Sequence, residues 1–310
     1  MDGDRKIVLV TRPTRLQELV ARYNTVEQAR FHAEHLDMDF GDFLKEDRTF
    51  QRAVCQVSQV LAAHGKLQRL DRSFLPNFLF PPTALVVVLG QDGLVANTLK
   101  YLDGQPLLAI NPDPARWEGI LLPFQVDDLQ TLLPEVLLGR RPVREITMAR
   151  ARLSDGQSLL AVNDFFVGAR THVSARYELS HGGRTECQSS SGIIISTGMG
   201  STGWLRSVLT GARAITGRDH DQTWREAREK GLDWSSPNLV FSVREPYPGR
   251  STGSSLVLGQ LKQGAQLRVR SLMPVGGVIF SDGMESDGLE FCSGMEVLVH
   301  RHESNGKLTI

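Results

Sequence analysis

The chain has 310 residues, 41% of them hydrophobic and 23% charged, an ordinary globular composition with length for two cores. Its 35 basic and 35 acidic residues cancel, which argues against a nucleic-acid partner or a charged membrane surface. No apolar run approaches the roughly 20 residues of a membrane-spanning helix; three scattered cysteines (Cys55, Cys187, Cys292) form no CxxC pair and point to a reducing compartment, and a cytoplasmic location is expected from the lack of a transit pattern.

In chain order, residues 1–5 show no signal or transit pattern, and Lys6-Ile-Val-Leu-Val10 predicts a first strand. From Thr14 to about Gly65 the apolar residues (Phe31, Phe43, Phe50, Val54, Val57, Leu61) recur with helical spacing, with a break expected at Gly41. Pro76, Pro81 and Pro82 mark a loop. Leu85-Val-Val-Val-Leu89 then has the continuous apolar character of a buried parallel strand. It runs through Gly90-Gln-Asp-Gly93 into a helical pattern over Leu94, Leu99, Tyr101 and Leu102. A short strand at 107–110, a turn at Asn111-Pro-Asp-Pro114 and a helix over 126–138 follow. Strands alternating with helices predict an α/β nucleotide-binding domain with a parallel sheet over residues 1–140.

Beyond Gly139-Arg-Arg-Pro142 the helical periods fade. Short strands are expected near 144–153, 158–163, 173–179, 193–196, 239–243, 256–258, 266–271, 276–280 and 296–300, with a hairpin at Asp155-Gly156. A helix is expected after Ser201, and a charged helix or loop over Asp219–Lys230. Residues 141–310 are therefore read as a second, mostly β domain, its last residues packing back on the first.

Four segments carry candidate chemistry. The turn Gly90-Gln91-Asp92-Gly93 joins a strand to a helix, where ligands of open α/β sheets bind. Its glycines allow close backbone approach, and Asp92 is the group there that could accept a proton, hold Mg²⁺ or simply cap the helix. Asn163-Asp164 ends an apolar strand, as a turn or as hydrogen-bonding partners for ribose hydroxyls and a base edge. Thr197-Gly198-Met-Gly200-Ser201-Thr202-Gly-Trp204 gathers hydroxyls and glycines before a helix, as an anion site would, and without the Gly-Lys-Ser/Thr of a Walker A loop. Asp282-Gly283 is a hairpin turn or a further site. His32 and His35 alone make no metal site.

The order of these segments resembles the NAD kinase family over about residues 6–295, and its mitochondrial-type branch most. The supporting stretches are Ile110–Pro114 with Glu118-Gly119, Phe166-Val-Gly168, Ser174–Tyr177, Ser190-Ser-Gly192, Gly203-Trp204 and Arg244-Glu-Pro246. The resemblance implies transfer of the terminal phosphoryl of ATP, accompanied by Mg²⁺, to the 2′-hydroxyl of the adenosine ribose of NAD. It implies Asp92 as catalytic base, Asn163 and Asp164 as dinucleotide ligands, and the Thr197–Trp204 loop as the contact to adenosine and phosphate. Gly90, Gln91, Gly93 and Asp282 complete the expected nucleotide site. NAD and ATP are the expected partners, and a homodimer the expected assembly. Three positions depart from the family pattern. Gln91 stands for a glycine, Leu94 for a threonine, and Asp164 for a glutamate. Gln91 either obstructs the donor or offers its own amide to it. Two other readings are a related kinase with a different nucleoside or donor, and an NAD(H)-binding regulator with weak catalysis.

Overall fold

The apolar runs at 6–10, 85–89 and 107–110 become strands, and the helical pattern ahead of Gly65 becomes helices. The computed structural model describes residues 5–310; residues 1–4, part of the segment read as lacking a leader, lie outside them. The described residues divide into two compact units, 5–144 with 307–310, and 145–306.

The first unit begins with β1 (Lys6–Thr11), its last five residues buried. Three helices follow, α1 (Arg15–Tyr23), α2 (Val26–His35) and α3 (Phe40–Ala62). Each starts on a residue that caps with its own side chain, Thr14, Thr25 and Asp39. The break expected at Gly41 falls elsewhere. Gly41 lies in the first turn of α3, and the chain reverses at Asn24 (φ 70°) and Asp37 (φ 53°), short polar residues that tolerate left-handed backbone. Phe50, Val54, Val57 and Leu61 form the stripe by which α3 packs on Ile7, Leu9 and Val87 of the sheet.

Strand β2 (Lys66–Asp71) was not expected, because Lys-Leu-Gln-Arg-Leu-Asp is mostly polar; it survives at the sheet edge. After it come β3 (Leu85–Leu89), fully buried, α4 (Asp92–Leu99), β4 (Pro106–Asn111), β5 (Phe124–Gln125), α5 (Leu129–Leu137) and β6 (Val143–Ile146). The sheet order is β2-β1-β3-β4, then the C-terminal strand (Gly306–Thr309), then β6, with β5 also beside β4. All pairings from β2 through β4 are parallel, and the C-terminal strand is parallel to β4, with Lys307 opposite Pro106. The chain passes from β1 outward to β2 and returns to β3 on the other side. The carboxyl ends of β1 and β3 thus flank a topological switch point.

The second unit is antiparallel. Its strands are β7 (Ala149–Leu153), β8 (Ser158–Ala161), β9 (Asp164–Ala169), β10 (Ala175–His181), β11 (Arg184–Ser190) and β12 (Ile193–Ser196). Helices α6 (Trp204–Thr216) and α7 (Gln222–Lys230) intervene. The remaining strands are β13 (Leu239–Val243), β14 (Leu258–Leu261), β15 (Leu267–Ser271), β16 (Gly277–Ser281), β17 (Met284–Glu290) and β18 (Glu296–Arg301). One sheet runs β11-β10-β15-β18-β7-β8, the other β14-β13-β12-β9-β16-β17. Tyr177, Leu179, Val269 and Val299 from the first meet Phe165, Ile195 and Phe241 from the second in one core, as in a β-sandwich. The single strand expected over 144–153 is two, β6 and β7, while β9, β11 and β17 went unforeseen. The overall class is an α/β domain with a parallel sheet followed by a mostly β domain.

Candidate active site

In the first unit, Gly90, Gln91, Asp92 and Gly93 form one turn at the carboxyl end of β3. Asp92 does not cap α4 but opens it; the cap position is Gln91, at φ −124°, and its side chain makes no capping bond. An ordinary extended angle needs no glycine, so Gln91 sits there without backbone strain. Neither Gly90 nor Gly93 takes a left-handed angle. A Cβ at Gly93 would meet nothing within 4 Å, and one at Gly90 only the flexible Leu94 side chain at 2.8 Å. What these glycines supply is open space above the first turn of α4.

Asp92 is half-buried, and its Oδ1 accepts the Leu121 N–H at 2.6 Å. That bond fixes the side chain, and Oδ2 has no protein partner among the described residues. A carboxylate held by one oxygen and free at the other can take a proton from a hydroxyl brought to it. Gln91 Oε1 accepts from Arg12 Nη1 at 2.6 Å. Sequence reasoning missed Arg12, whose one signal is its place directly after β1. It also missed the ion network that pins the 111–117 turn, in which Arg116 binds Asp42 of α3 (2.9 Å) and Arg15 of α1 binds the same carboxylate (2.7 Å). Arg116 foremost, then Arg15, holds the Asp42 carboxyl well below its ordinary range.

In the second unit, Asn163, Asp164, Thr197, Gly200 and Asp282 come together. Asp282 and Gly283 make the β16–β17 hairpin turn, both with positive φ (53° and 67°). The Asp282 carboxylate reaches from that turn to accept the N–H groups of Val162 (2.9 Å), Asn163 (2.7 Å) and Asp164 (3.2 Å). It therefore positions the Asn163-Asp164 pair. The carboxamide of Asn163 and the carboxyl of Asp164 have no side-chain partner among the described residues, and both are half-buried. Burial, with the Asp282 charge adding to it, pushes the Asp164 carboxyl up to about 7. A displaced carboxyl with unspent hydrogen-bonding capacity is a mark of a functional position.

The Thr197–Trp204 loop differs from its expected form. The hydroxyls of Thr197 and Ser201 are fully buried and spent on the loop itself. Thr197 Oγ1 donates to Val162 O (2.6 Å), and Ser201 Oγ donates to Gly198 O (2.6 Å) while accepting from Leu232 N (2.7 Å). Gly198 and Gly200 are glycines because a Cβ would lie 1.8 Å from Asp233 O and 2.0 Å from Asn163 O. Thr197 and Gly200 brace the Asn163 turn, Gly198 and Ser201 tie the loop to Leu232 and Asp233, and Thr202 is left exposed. Trp204 stacks on Phe166, ring centres 5.7 Å apart, with the Arg244 guanidinium 5.3 Å from its ring centre.

Among the described residues, no three His, Cys, Asp or Glu side chains are grouped to hold a metal ion, and no helix is long and apolar enough to cross a membrane.

No family model and no curated protein matches the chain. Solved structures do. An NAD kinase from Archaeoglobus fulgidus in complex with ATP is similar over 98% of this chain and 93% of that one, with a TM-score of 0.55 and 15% identity. Yeast NADH kinase complexed with NADH is similar over 99% of this chain and 84% of that one, with a TM-score of 0.55 and 14% identity. At these identities the likeness shows the fold, which is that of NAD kinases.

Proposed function

We propose that this chain phosphorylates NAD at the 2′-hydroxyl of its adenosine ribose, with ATP as donor, giving NADP and ADP. The observation that carries this reading is Asp92, anchored through one oxygen to Leu121 N and open at the other, on a fold shared with NAD kinases. The ribose oxygen attacks the γ-phosphorus, the new P–O bond forms as the β–γ bridging bond breaks, and ADP departs with that electron pair. The hydroxyl proton passes to the free Asp92 oxygen. Asn163 and Asp164 hold the dinucleotide by hydrogen bonds, with their turn fixed by Asp282, Thr197 and Gly200. The open backbone of Gly90 and Gly93 faces the phosphates. Mg²⁺ carried by ATP would offset the phosphate charge, with the free Asp92 oxygen the protein carboxylate at the turn to meet it.

We further propose that the chain is of the mitochondrial type, on the sequence stretches Ile110–Pro114 and Glu118-Gly119, which lie in one turn. There Asn111 Nδ2 donates to Trp117 O at 2.9 Å, and Gly119, at φ 66°, leaves room for that amide. Three free cysteines accord with a reducing, cytoplasmic location, and a homodimer completes the reading, to be checked by light scattering. Asp92→Asn tests the chemistry. NADP formation from ATP and either NAD or NADH should collapse while nucleotide binding persists. Near-parental turnover would remove Asp92 from the mechanism.

A further inference from the structure

We propose that the groove at the carboxyl ends of β1 and β2 binds a phosphate-rich anion, with Arg12 and Arg69 as its cations and Gln91 as the residue that aims Arg12. The proposal concerns a surface distinct from the Asp92 oxygen and stands on its own geometry.

Arg12 follows β1 and Gln91 follows β3, so their 2.6 Å hydrogen bond spans the switch point of the sheet. Arg12 stands between two recesses, lining the crevice there together with Gln91 and also the larger groove on the β2 side, which Gln91 does not reach. The other bond of Arg12 is a long one, from Nε to Pro13 O at 3.4 Å. Among the described residues it has no carboxylate partner. The nearby arginines differ. Arg15 is paired with Asp42 and Glu46, and Arg116 with Asp42 and Asp113. Those acids are thus already matched, and the charge of Arg12 is not.

The groove beside Arg12 has a volume of about 410 Å³ and a polar lining, with Thr11, Gln17, Gln51, Arg69 and Asp71 joined by Pro13 and Phe50. Arg69 is exposed and has no ion-pair partner among the described residues. Asp71 is the one acid of the lining, and its Oδ1 already accepts from the N–H and hydroxyl of Ser73. Two unmatched guanidinium groups, a hydroxyl and two carboxamides suit a run of phosphoryl groups, since the guanidinium fork fits phosphate oxygens. The volume lies in the range of small-molecule sites.

Gln91 gains a role in this arrangement. Its carbonyl oxygen holds the guanidinium at the crevice, which a glycine could not do. The residue that departs from the family pattern is then a positioning residue for a cation, and neither an obstruction nor a direct phosphate donor.

Calorimetry at low salt tests this, with inorganic tripolyphosphate, ATP and adenosine as probes. Tripolyphosphate should bind the parent protein, and adenosine should not displace it. Arg12→Gln and Arg69→Gln should each weaken it about tenfold or more, and Gln91→Gly, which removes no charge, by about threefold. Added salt should weaken parental binding steeply. ATP binding much tighter than tripolyphosphate, with the same sensitivity to Arg12→Gln, identifies a nucleotide as occupant; equal affinities identify a free phosphate chain. No tripolyphosphate binding by the parent overturns the proposal, as does parental affinity in the two arginine variants with normal melting. Tripolyphosphate binding that depends on Arg12 in a protein making no NADP would support the groove while counting against the NAD kinase reading.

Discussion

Asp164→Asn should make the protein more stable and less able to bind its dinucleotide, and the gain in stability should depend on pH. The Asp164 carboxyl ionises near 7 in the fold against 3.8 ordinarily. The folded state therefore keeps a proton that the unfolded chain has released. Stability is full below about pH 4, falls as pH rises across the window, and is lowest above about 7. At 1.36 kcal/mol per pH unit the penalty is at most about 4 kcal/mol, and solvent reaching a half-buried group reduces it to about 1–3 kcal/mol. Asparagine keeps the shape and never ionises. By thermal melting, Asp164→Asn should exceed the parent by roughly 2–12 °C at pH 8, at about 2–4 °C per kcal/mol, and match it at pH 4. Calorimetry at pH 8 should show weaker NAD binding. Melting curves of parent and variant that run parallel from pH 4 to pH 8 would refute the reasoning, because the carboxyl would then carry no burial penalty.

Asp282→Ala leaves three N–H groups of the 162–164 turn without their acceptor; it should cost about 2–4 kcal/mol and weaken NAD binding, and a melting temperature within a degree of the parent would contradict this. Gly198→Ala drives a methyl into the Asp233 carbonyl, which as backbone cannot move aside, so a loss of about 3 kcal/mol or more in denaturant unfolding is expected. Asp92→Asn should lower kcat by ~10²–10⁴ yet melt near the parent, since the amide oxygen can still accept from Leu121 N; a large stability loss would show that Asp92 serves the fold instead.

The parallel sheet was legible because Ile7–Val10, Leu85–Leu89 and Leu107–Ile110 are buried on both faces and so read as unbroken apolar runs. Strands β2 and β11 were not, because an edge strand buries few side chains and keeps a polar sequence such as Lys66-Leu-Gln-Arg-Leu-Asp71. The break between α2 and α3 was misplaced at Gly41 because the reversal uses a left-handed aspartate, Asp37, which is a weaker signal than glycine. At the candidate site, the turn at Asp92 and the pair at Asn163-Asp164 stood out as polar residues ending apolar strands. The role of Asp282 could not be read, since it depends on bringing together positions about 120 apart in sequence. In the Thr197–Ser201 loop, composition alone does not distinguish hydroxyls that face a ligand from hydroxyls that close the loop on itself. Arg12 left no pattern, because one arginine after a strand acquires meaning only from what lies across the crevice.

The central claim is phosphoryl transfer to a dinucleotide hydroxyl, and the most direct measurement follows the phosphoryl group itself. The pure protein is given NAD, Mg²⁺ and ATP labelled in its γ-phosphate, and the products are separated by ion-pair chromatography and identified by mass spectrometry. The account predicts label on the 2′-position of NADP in equal amount to the ADP formed, at a rate ~10²–10⁴-fold lower with Asp92→Asn. Label appearing only as free phosphate, or bound NAD returned unlabelled while ATP is untouched, would contradict it.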